Sequence, residues 1–278
     1  MGRCWIGTAL IVSLLCALPA CHRQSPATVP LRDPDSPALS IDGDPESESG
    51  ATWTLVGTLD GTFVDVRGVL LKPSGTGPFP AVVLSHGANG NAERYGGALG
   101  SVMRTWGLVC IAVNYTHAGG VPVGSPGTVL EPGASPANAF RAHAAVTVLK
   151  RLRYVDVRRV AAHGHSMGAF VTTAFAAAYP ADVRVASHTA GGVLLDLLHH
   201  DGVPIPSVAE AQRIQTPYQW HHGLLDYVVP FVLDERFDSV LTAAHEGHLY
   251  PRLRHGEVAT HPEMLSRVRA WYTANGMF

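Results

Sequence analysis

The sequence has little charge and no large excess of either sign. Only 15% of its 278 residues are Asp, Glu, Lys or Arg, and the formal net charge is −2. Disordered chains and coiled coils are far richer in charged residues, and proteins that bind nucleic acid present a basic surface. The composition therefore excludes these classes and favours a globular protein with one large domain or two small ones.

The apolar run at the N-terminus is too short to span a bilayer as a free helix. It covers Trp5–Leu18, 14 residues, and follows Arg3. This pattern is typical of an export signal over residues 1–20. The sequence Leu18-Pro19-Ala20-Cys21 resembles a bacterial lipoprotein box, in which the cysteine becomes the lipidated first residue. We therefore expect an exported protein of the bacterial cell envelope, anchored to the membrane by a lipid on Cys21. Ordinary signal cleavage, which would leave a periplasmic or secreted soluble protein, is the alternative.

Aromatic residues are missing from residues 21–52. This segment contains five Pro and five Ser, and six acids against two arginines. Such a composition buries too little apolar surface to offset the entropy lost on ordering. We therefore predict a disordered tether over residues 21–52, followed by a domain over residues 53–278.

Cysteine is scarce in the predicted domain. Of the four cysteines in the chain, only Cys110 lies within residues 53–278. No intramolecular disulfide is therefore available there, even in an oxidising compartment. The same residues carry 17 basic and 16 acidic side chains, so the domain itself is close to neutral.

From Trp53 onward, short apolar runs alternate with helical patterns. Asp60-Gly61 separates two such runs and predicts a β-hairpin, and Ala81–Ser85 is apolar enough for a strand covered on both faces. Ser135-Pro136 and Pro262 are signals for helix starts. A hairpin followed by repeated strand–helix units predicts an α/β domain with a mostly parallel central sheet and helices on both faces.

The sequence Gly164-His165-Ser166-Met167-Gly168 lies between a strand pattern and an Ala-rich helix pattern. In that context G-x-S-x-G is typical of a nucleophile elbow, where glycines permit a sharp turn that exposes the serine. The turn directs the Met167 N–H, at the helix N-terminus, toward the place where a tetrahedral oxyanion would form. We therefore predict Ser166 as nucleophile and Met167 as an oxyanion donor. The alternative is a chance match in a chain rich in Gly and Ala.

Two further segments carry a family pattern. Phe79–Gly87 ends in His-Gly, and Gly223–Pro230 places an acid after a strand. Together with Asp156–Met167, they resemble the α/β-hydrolase superfamily and, within it, single-domain serine esterases of the dienelactone-hydrolase-like and platelet-activating-factor-acetylhydrolase-like groups. The resemblance extends from about Trp53 to the C-terminus and implies an α/β-hydrolase fold. Dienelactone hydrolases proper use a Cys nucleophile, whereas this chain has Ser166, which disfavours lactone chemistry of that kind.

The family order of catalytic residues is Ser, acid, His. It implies Asp226 as the acid, because this residue follows the strand pattern at residues 218–222. Asp196 and Asp201 precede that strand and are the alternatives. Asp234 and Asp238 lie in a helix-like stretch after the acid loop and are predicted to be surface residues.

The resemblance also implies the base and the second oxyanion donor. His255, followed by Gly256 and 29 residues after the acid, matches the strand-His-Gly ending of the family. His261 is the rival base, although a position just before a helix start opposes protonation of a histidine. Ala88, which follows His86-Gly87, is the implied second oxyanion donor.

The chain has 15 histidines, a number that invites a metal interpretation. The clusters are His199-His200-Asp201, His221-His222 and His245-Glu246-Gly247-His248. None has the H-E-x-x-H spacing that places two ligands on one helix face. We therefore predict no metal and no cofactor, and interpret these histidines as surface residues or supports of the site.

The combined prediction is a serine hydrolase that cleaves small-molecule carboxylic esters through an acyl-enzyme on Ser166. The stretch between residues 187 and 218 is too short for a large cap domain, so we expect an open cleft. A non-catalytic lipoprotein that binds a ligand or partner, a peptidase and a polyester hydrolase are the alternatives on this fold. Ala88 and His188 stand where polyester hydrolases place aromatic residues, which disfavours the last of these.

Overall fold

The computed structural model describes residues 1–2, 36–121, 131–195 and 205–278. Almost all of the predicted signal, Cys21 and the first part of the predicted tether lie outside the described residues, as do Asp196 and Asp201. None of the helices in the described ranges has the length and hydropathy that a transmembrane span requires.

The described strands form one nine-stranded sheet. They are β1 (Ala38–Asp42), β2 (Ala51–Leu59), β3 (Thr62–Leu71), β4 (Phe79–Ser85), β5 (Val109–Val113), β6 (Val155–His165), β7 (Val185–Thr189), β8 (Tyr218–Gly223) and β9 (His245–Tyr250). Their order across the sheet is β1-β2-β3-β5-β4-β6-β7-β8-β9. The pairs from β1 to β5 are antiparallel, and the pairs from β5 through β4 to β9 are parallel. The mostly parallel sheet and the hairpin at Asp60-Gly61 are confirmed.

Helices cover both faces of this sheet. They are α1 (Ala92–Tyr95), α2 (Ser101–Arg104), α3 (Pro136–Leu149), α4 (Met167–Ala178), α5 (Val208–Ala211), α6 (Val232–Val240), α7 (His255–Val258) and α8 (Pro262–Ala274). On β4, Val83 belongs to an apolar cluster that includes Val171 of α4. The preceding residue, Val82, belongs to another cluster that includes Met103 and Met264. Successive strand residues point to opposite faces, so the two clusters are the two helix layers.

One strand lies within the predicted tether. β1 pairs antiparallel with β2 along its whole length. Leu39 and Ile41 are partly buried against the core, whereas Ser40 and Asp42 are exposed. This alternation suits a strand with one buried face, although the surrounding prolines and acids dominate the composition. The prediction of a tether up to residue 52 is therefore wrong for residues 38–42, and also for residues 51–52, which begin β2.

The predicted site residues follow the carboxyl ends of parallel strands. Ser166 stands directly between β6 and α4, and Ala88 lies three residues after β4. Asp226 follows β8, and His255 begins α7 after β9. Because the carboxyl ends of parallel strands share one edge of a sheet, the topology brings these loops together.

The described part of the connection between β7 and β8 adds only the short helix α5. Ser207 caps this helix, since its hydroxyl accepts the Glu210 N–H while the Glu210 carboxylate accepts the Ser207 N–H. Within residues 190–195 and 205–217, no large cap covers the sheet edge.

Candidate active site

Ser166 occupies a strained turn between β6 and α4. Its backbone has φ 57° and ψ −123°, a left-handed conformation that non-glycine residues seldom adopt. A Cβ on Gly164 would lie 2.1 Å from the Gly168 carbonyl oxygen, and one on Gly168 would lie 2.0 Å from that of Ser85. Only glycine fits at either position, which explains the G-x-S-x-G pattern physically. The Ser166 N–H donates to the Thr189 carbonyl at 3.0 Å and ties the turn to β7.

Ser166, His255 and Asp226 form one line of hydrogen bonds. His255 Nε2 lies 2.8 Å from Ser166 Oγ, and His255 Nδ1 lies 2.7 Å from Asp226 Oδ2. The other carboxylate oxygen of Asp226 accepts the Val228 and Val229 N–H groups at 2.8 and 2.9 Å. These bonds fix the acid, and the acid in turn orients the imidazole so that its free nitrogen faces the serine hydroxyl.

His261, the rival base, lies elsewhere. It caps α8 and makes an edge contact with the Tyr250 ring, with the centroids 5.7 Å apart. Its Nδ1 is buried and has no hydrogen-bond partner among the described residues. The structure thus brings His255, and not His261, into hydrogen-bond contact with Ser166 and Asp226.

The loop after β4 lies against the elbow. A Cβ on Gly87 would be 3.3 Å from Ser166 Cβ, so the backbone of this loop directly adjoins the serine. His86 holds the loop, because its Nδ1 bonds the Gly87 carbonyl at 2.9 Å and its Nε2 accepts the Tyr115 N–H at 3.3 Å. Burial, aided by neighbouring His117, lowers the pKa of His86 to about 3, which keeps the ring neutral and suits this pattern.

Two backbone amides are available beside the serine. Met167 is the first residue of α4, and Ala88 follows Gly87 in the loop against the elbow. Among the described residues, neither amide donates a hydrogen bond. Free N–H groups beside a nucleophile are the donors that an oxyanion hole requires.

Comparison with known proteins agrees with this geometry. Residues 130–275, more than half of the chain, match the model of the Dienelactone hydrolase family. The chain belongs to the dienelactone hydrolase family. A search of curated proteins gives no match.

Solved structures with the same fold align with a longer part of the chain than the family model does. Acetyl xylan esterase 1 from Thermoanaerobacterium sp. superposes with a TM-score of 0.61 at 17% identity, over 87% of this chain and 89% of the esterase. Acetyl xylan esterase from Paenibacillus sp. R4 gives 0.64 at 17% identity, over 85% and 89%. The α/β hydrolase GrgF from Penicillium sp. gives 0.65 at 17% identity, over 82% and 99%. At such identities the likeness shows the α/β-hydrolase fold, and with the family match it indicates a hydrolase.

In this dienelactone hydrolase family member, the carboxylate of Asp226 is strongly stabilised as an anion. Burial raises the pKa of Asp226, but interactions with His222 and His255 and with the Val229 and Val228 amides outweigh burial and lower it below its usual range. The carboxylate therefore stays ionised at neutral pH and can support a protonated His255.

His165, inside the elbow, flanks the base. Its ring centroid lies 4.8 Å from that of His255, and its Nδ1 lies 2.8 Å from Thr189 Oγ1. Burial, together with the charge of His255, lowers the pKa of His165 to about 3. A neutral ring therefore packs against His255.

Asp234 is not a surface residue, and the prediction that it is exposed is wrong. Its side chain is fully buried and accepts His188 Nε2 at 2.8 Å and His222 Nδ1 at 2.6 Å. A helical pattern with acids predicts that the acids face solvent. However, α6 begins over the ends of β7 and β8, so Asp234 faces His188 and His222 instead. Asp238 is partly exposed, as predicted, and accepts the Trp220 indole N–H at 2.8 Å.

The histidine clusters have different environments. His221 and His222 are both buried on β8, and His221 bonds Tyr250 Oη and Gln219 Oε1, each at 2.9 Å. His245 and His248 lie on the partly exposed edge strand β9. In the part of the chain that is described, no His, Cys, Asp and Glu side chains cluster in threes as metal ligands would. His199 and His200 lie outside that part.

Proposed function

We propose that the protein is a serine esterase that cleaves carboxylic esters through an acyl-enzyme on Ser166. The observation that carries the proposal is the unbroken line from Ser166 Oγ to His255 Nε2 and from His255 Nδ1 to Asp226, at 2.8 and 2.7 Å. These distances are within the range that proton transfer from a nucleophile to a general base needs.

The reaction follows from this line. Ser166 Oγ attacks the ester carbonyl while its proton passes to His255 Nε2, and Asp226 stabilises the imidazolium that forms. When the tetrahedral intermediate collapses, the C–O bond to the alcohol breaks and His255 returns the proton to that oxygen. Water then attacks the acyl-enzyme by the same route, with His255 again as base, and releases the acid and free Ser166.

The amides of Ala88 and Met167 would bind the oxyanion in both half-reactions. Each preformed donor of this kind is worth on the order of 3 kcal/mol of transition-state stabilisation. The strained backbone of Ser166 supports this role, because the same turn that directs the hydroxyl to His255 also places the Met167 amide at the start of α4.

The proposed substrates are short-chain esters in an open cleft. Apolar side chains of the acid loop stand exposed beside Asp226, with Tyr227 86% and Val228 64% accessible. The described part of the β7–β8 connection leaves this edge uncapped. Two of the structural relatives are acetyl xylan esterases, in which the acyl group is acetyl. A short acyl group also suits a nucleophile that is only 7% exposed.

A p-nitrophenyl ester series from acetate to decanoate tests the proposal. Wild type should hydrolyse acetate or butyrate best, and Ser166→Ala should lower kcat by about 10⁴ or more. Ser239→Ala, which removes a surface hydroxyl bonded to the Arg236 carbonyl, is the matched control and should keep full activity. Turnover of amides without esters would favour a peptidase, and no turnover at all would favour a binding protein.

We also infer, from the sequence Leu18-Pro19-Ala20-Cys21, that the mature protein is anchored in the bacterial envelope through a lipid on Cys21. Metabolic labelling with a palmitate analogue tests this inference. Label on wild type and none on Cys21→Ser is expected, whereas unlabelled wild type released in soluble form would contradict it.

A further inference from the structure

A second charged network adjoins Asp226 on the side away from Ser166. His222 Nε2 is 3.4 Å from Asp226 Oδ2, the oxygen that also bonds His255. His222 Nδ1 is 2.6 Å from Asp234 Oδ2. The side chains of His222, Asp226 and Asp234 are fully buried. The hydrogen-bonded line that begins at Ser166 therefore continues past Asp226 into the protein.

The hydrogen-bond partners of His222 indicate that it carries both ring protons. Its Nδ1 faces the carboxylate of Asp234, and its Nε2 faces the Val229 carbonyl at 3.0 Å as well as the carboxylate of Asp226. A carbonyl and an ionised carboxylate only accept hydrogen bonds, so both nitrogens donate when Asp226 and Asp234 are anions. Burial lowers the pKa of His222, but its interactions with Asp226 and Asp234 outweigh burial and raise it to about 10.

Asp234 is built to remain an anion. It accepts the Gly191 N–H at 3.2 Å in addition to His188 and His222. Burial raises the pKa of Asp234, but its charge interactions and hydrogen bonds with His188 and His222 outweigh burial and lower the pKa below its usual range. His188 bridges Asp234 and the Tyr218 hydroxyl, whose oxygen lies 3.1 Å from His188 Nδ1.

In the described part of the chain, the rings that pack against His222 and His255 carry no charge. The Phe231 ring packs edge-on against His222, with the centroids 5.7 Å apart. His165 packs against His255 and is neutral at working pH, because burial holds its pKa near 3. Among the described residues, the carboxylates that contact these two histidines are Asp226 and Asp234, and Asp234 also contacts His188.

We propose that His222, held as an imidazolium by Asp234, is a positioning residue that fixes the orientation and charge of Asp226 and thereby sets the pH range in which His255 acts as base. The proposal rests on the serine esterase function proposed above. His222 touches neither substrate nor Ser166, and acts only through Asp226.

The sign of the effect follows from the charges. A positive charge on the far side of Asp226 offsets part of the negative field at His255 and so opposes protonation of His255. The base then stays unprotonated, and active, at lower pH. Without that positive charge, His255 should bind its proton at higher pH. Two charges that share one carboxylate oxygen lie close enough for a shift of about one pH unit.

The test compares pH–rate profiles of His222→Gln and Asp234→Asn with wild type. Gln removes the charge while keeping a hydrogen-bonding group, and Asn removes the anion that keeps His222 protonated. Both should move the acid limb of kcat/KM up by about one pH unit, with kcat lowered less than about tenfold. His221→Gln is the matched control, because His221 is equally buried on β8 but bonds Tyr250 and Gln219. It should lower stability without moving the limb.

Nitrogen NMR of the histidine rings provides a second readout that does not depend on activity. In wild type at pH 8, His222 should show the doubly protonated pattern, and a neutral His222 overturns the proposal. In His222→Gln, the titration of His255 should also move up in pH. Superimposable His255 titrations or pH–rate profiles for wild type and folded variants would equally overturn it. If wild type cleaves no ester, the proposed function fails, and the NMR titrations still decide the charge on His222 and its effect on His255.

Discussion

Replacing each candidate base by alanine separates the two histidines that the sequence leaves open. His255→Ala removes both bonds of the central imidazole, to Ser166 at 2.8 Å and to Asp226 at 2.7 Å. The serine then has no base, and the buried carboxylate loses a donor. We expect kcat to fall by about 10⁴ or more, equivalent to about 5.5 kcal/mol of barrier.

His261→Ala should behave differently because this side chain has no polar contact to lose at Nδ1, which is buried and unpartnered in the described structure. Its edge contact with Tyr250 is worth about 0.5–1.5 kcal/mol of folding free energy. We expect kcat within about threefold of wild type and a slightly lower melting temperature.

The assay is p-nitrophenyl acetate hydrolysis at pH 8, with circular dichroism to show that both variants fold. Each variant lacks one imidazole relative to wild type, and the two substituted positions are six residues apart, so each variant serves as the control for the other. An inactive His261→Ala together with an active His255→Ala would refute the assignment of His255 as base.

Two further predictions concern stability. Gly168→Ala should destabilise the fold by more than about 3 kcal/mol, because its Cβ would lie 2.0 Å from the Ser85 carbonyl oxygen. Gly97→Ala is the control: its Cβ would meet nothing within 4 Å, so the variant should be neutral or slightly stabilising. Equal urea midpoints for the two variants would contradict this prediction. The protein should also lose stability as pH falls from about 6.5 to 4. Burial lowers the pKa of several histidines in the folded protein to about 3 or 4, so the unfolded chain binds more protons in this range. A urea midpoint that does not change between pH 7 and pH 5 would refute this prediction. These histidines are His86, His117, His163 and His165.

The sequence predicts those parts of the site that depend on local backbone constraints. The elbow is recognisable because Gly164 and Gly168 are required by contacts within a few residues of Ser166 or with the adjoining strand β4. Asp226 and His255 follow the ends of β8 and β9, where strand patterns and family spacing locate them. These residues are far apart in the sequence, but each can be predicted because a local pattern marks its position.

The network behind Asp226 could not be predicted in the same way. His188, His222 and Asp234 come from β7, β8 and α6, and no motif joins them. In the folded sheet, His188 of β7 pairs with Trp220 of β8, and His222 lies two residues further along the same face of β8. The missing information was the position of α6 over these strand ends, which depends on tertiary packing.

Fluorophosphonate labelling tests the central claim, that Ser166 is an activated nucleophile, most directly. The folded protein should take up one equivalent of the probe, and peptide mass mapping should place the adduct on Ser166. Ser166→Ala should remain unlabelled and His255→Ala should label far more slowly, since the hydroxyl then lacks its base. No adduct on folded wild type, or an adduct on another residue, would contradict the claim.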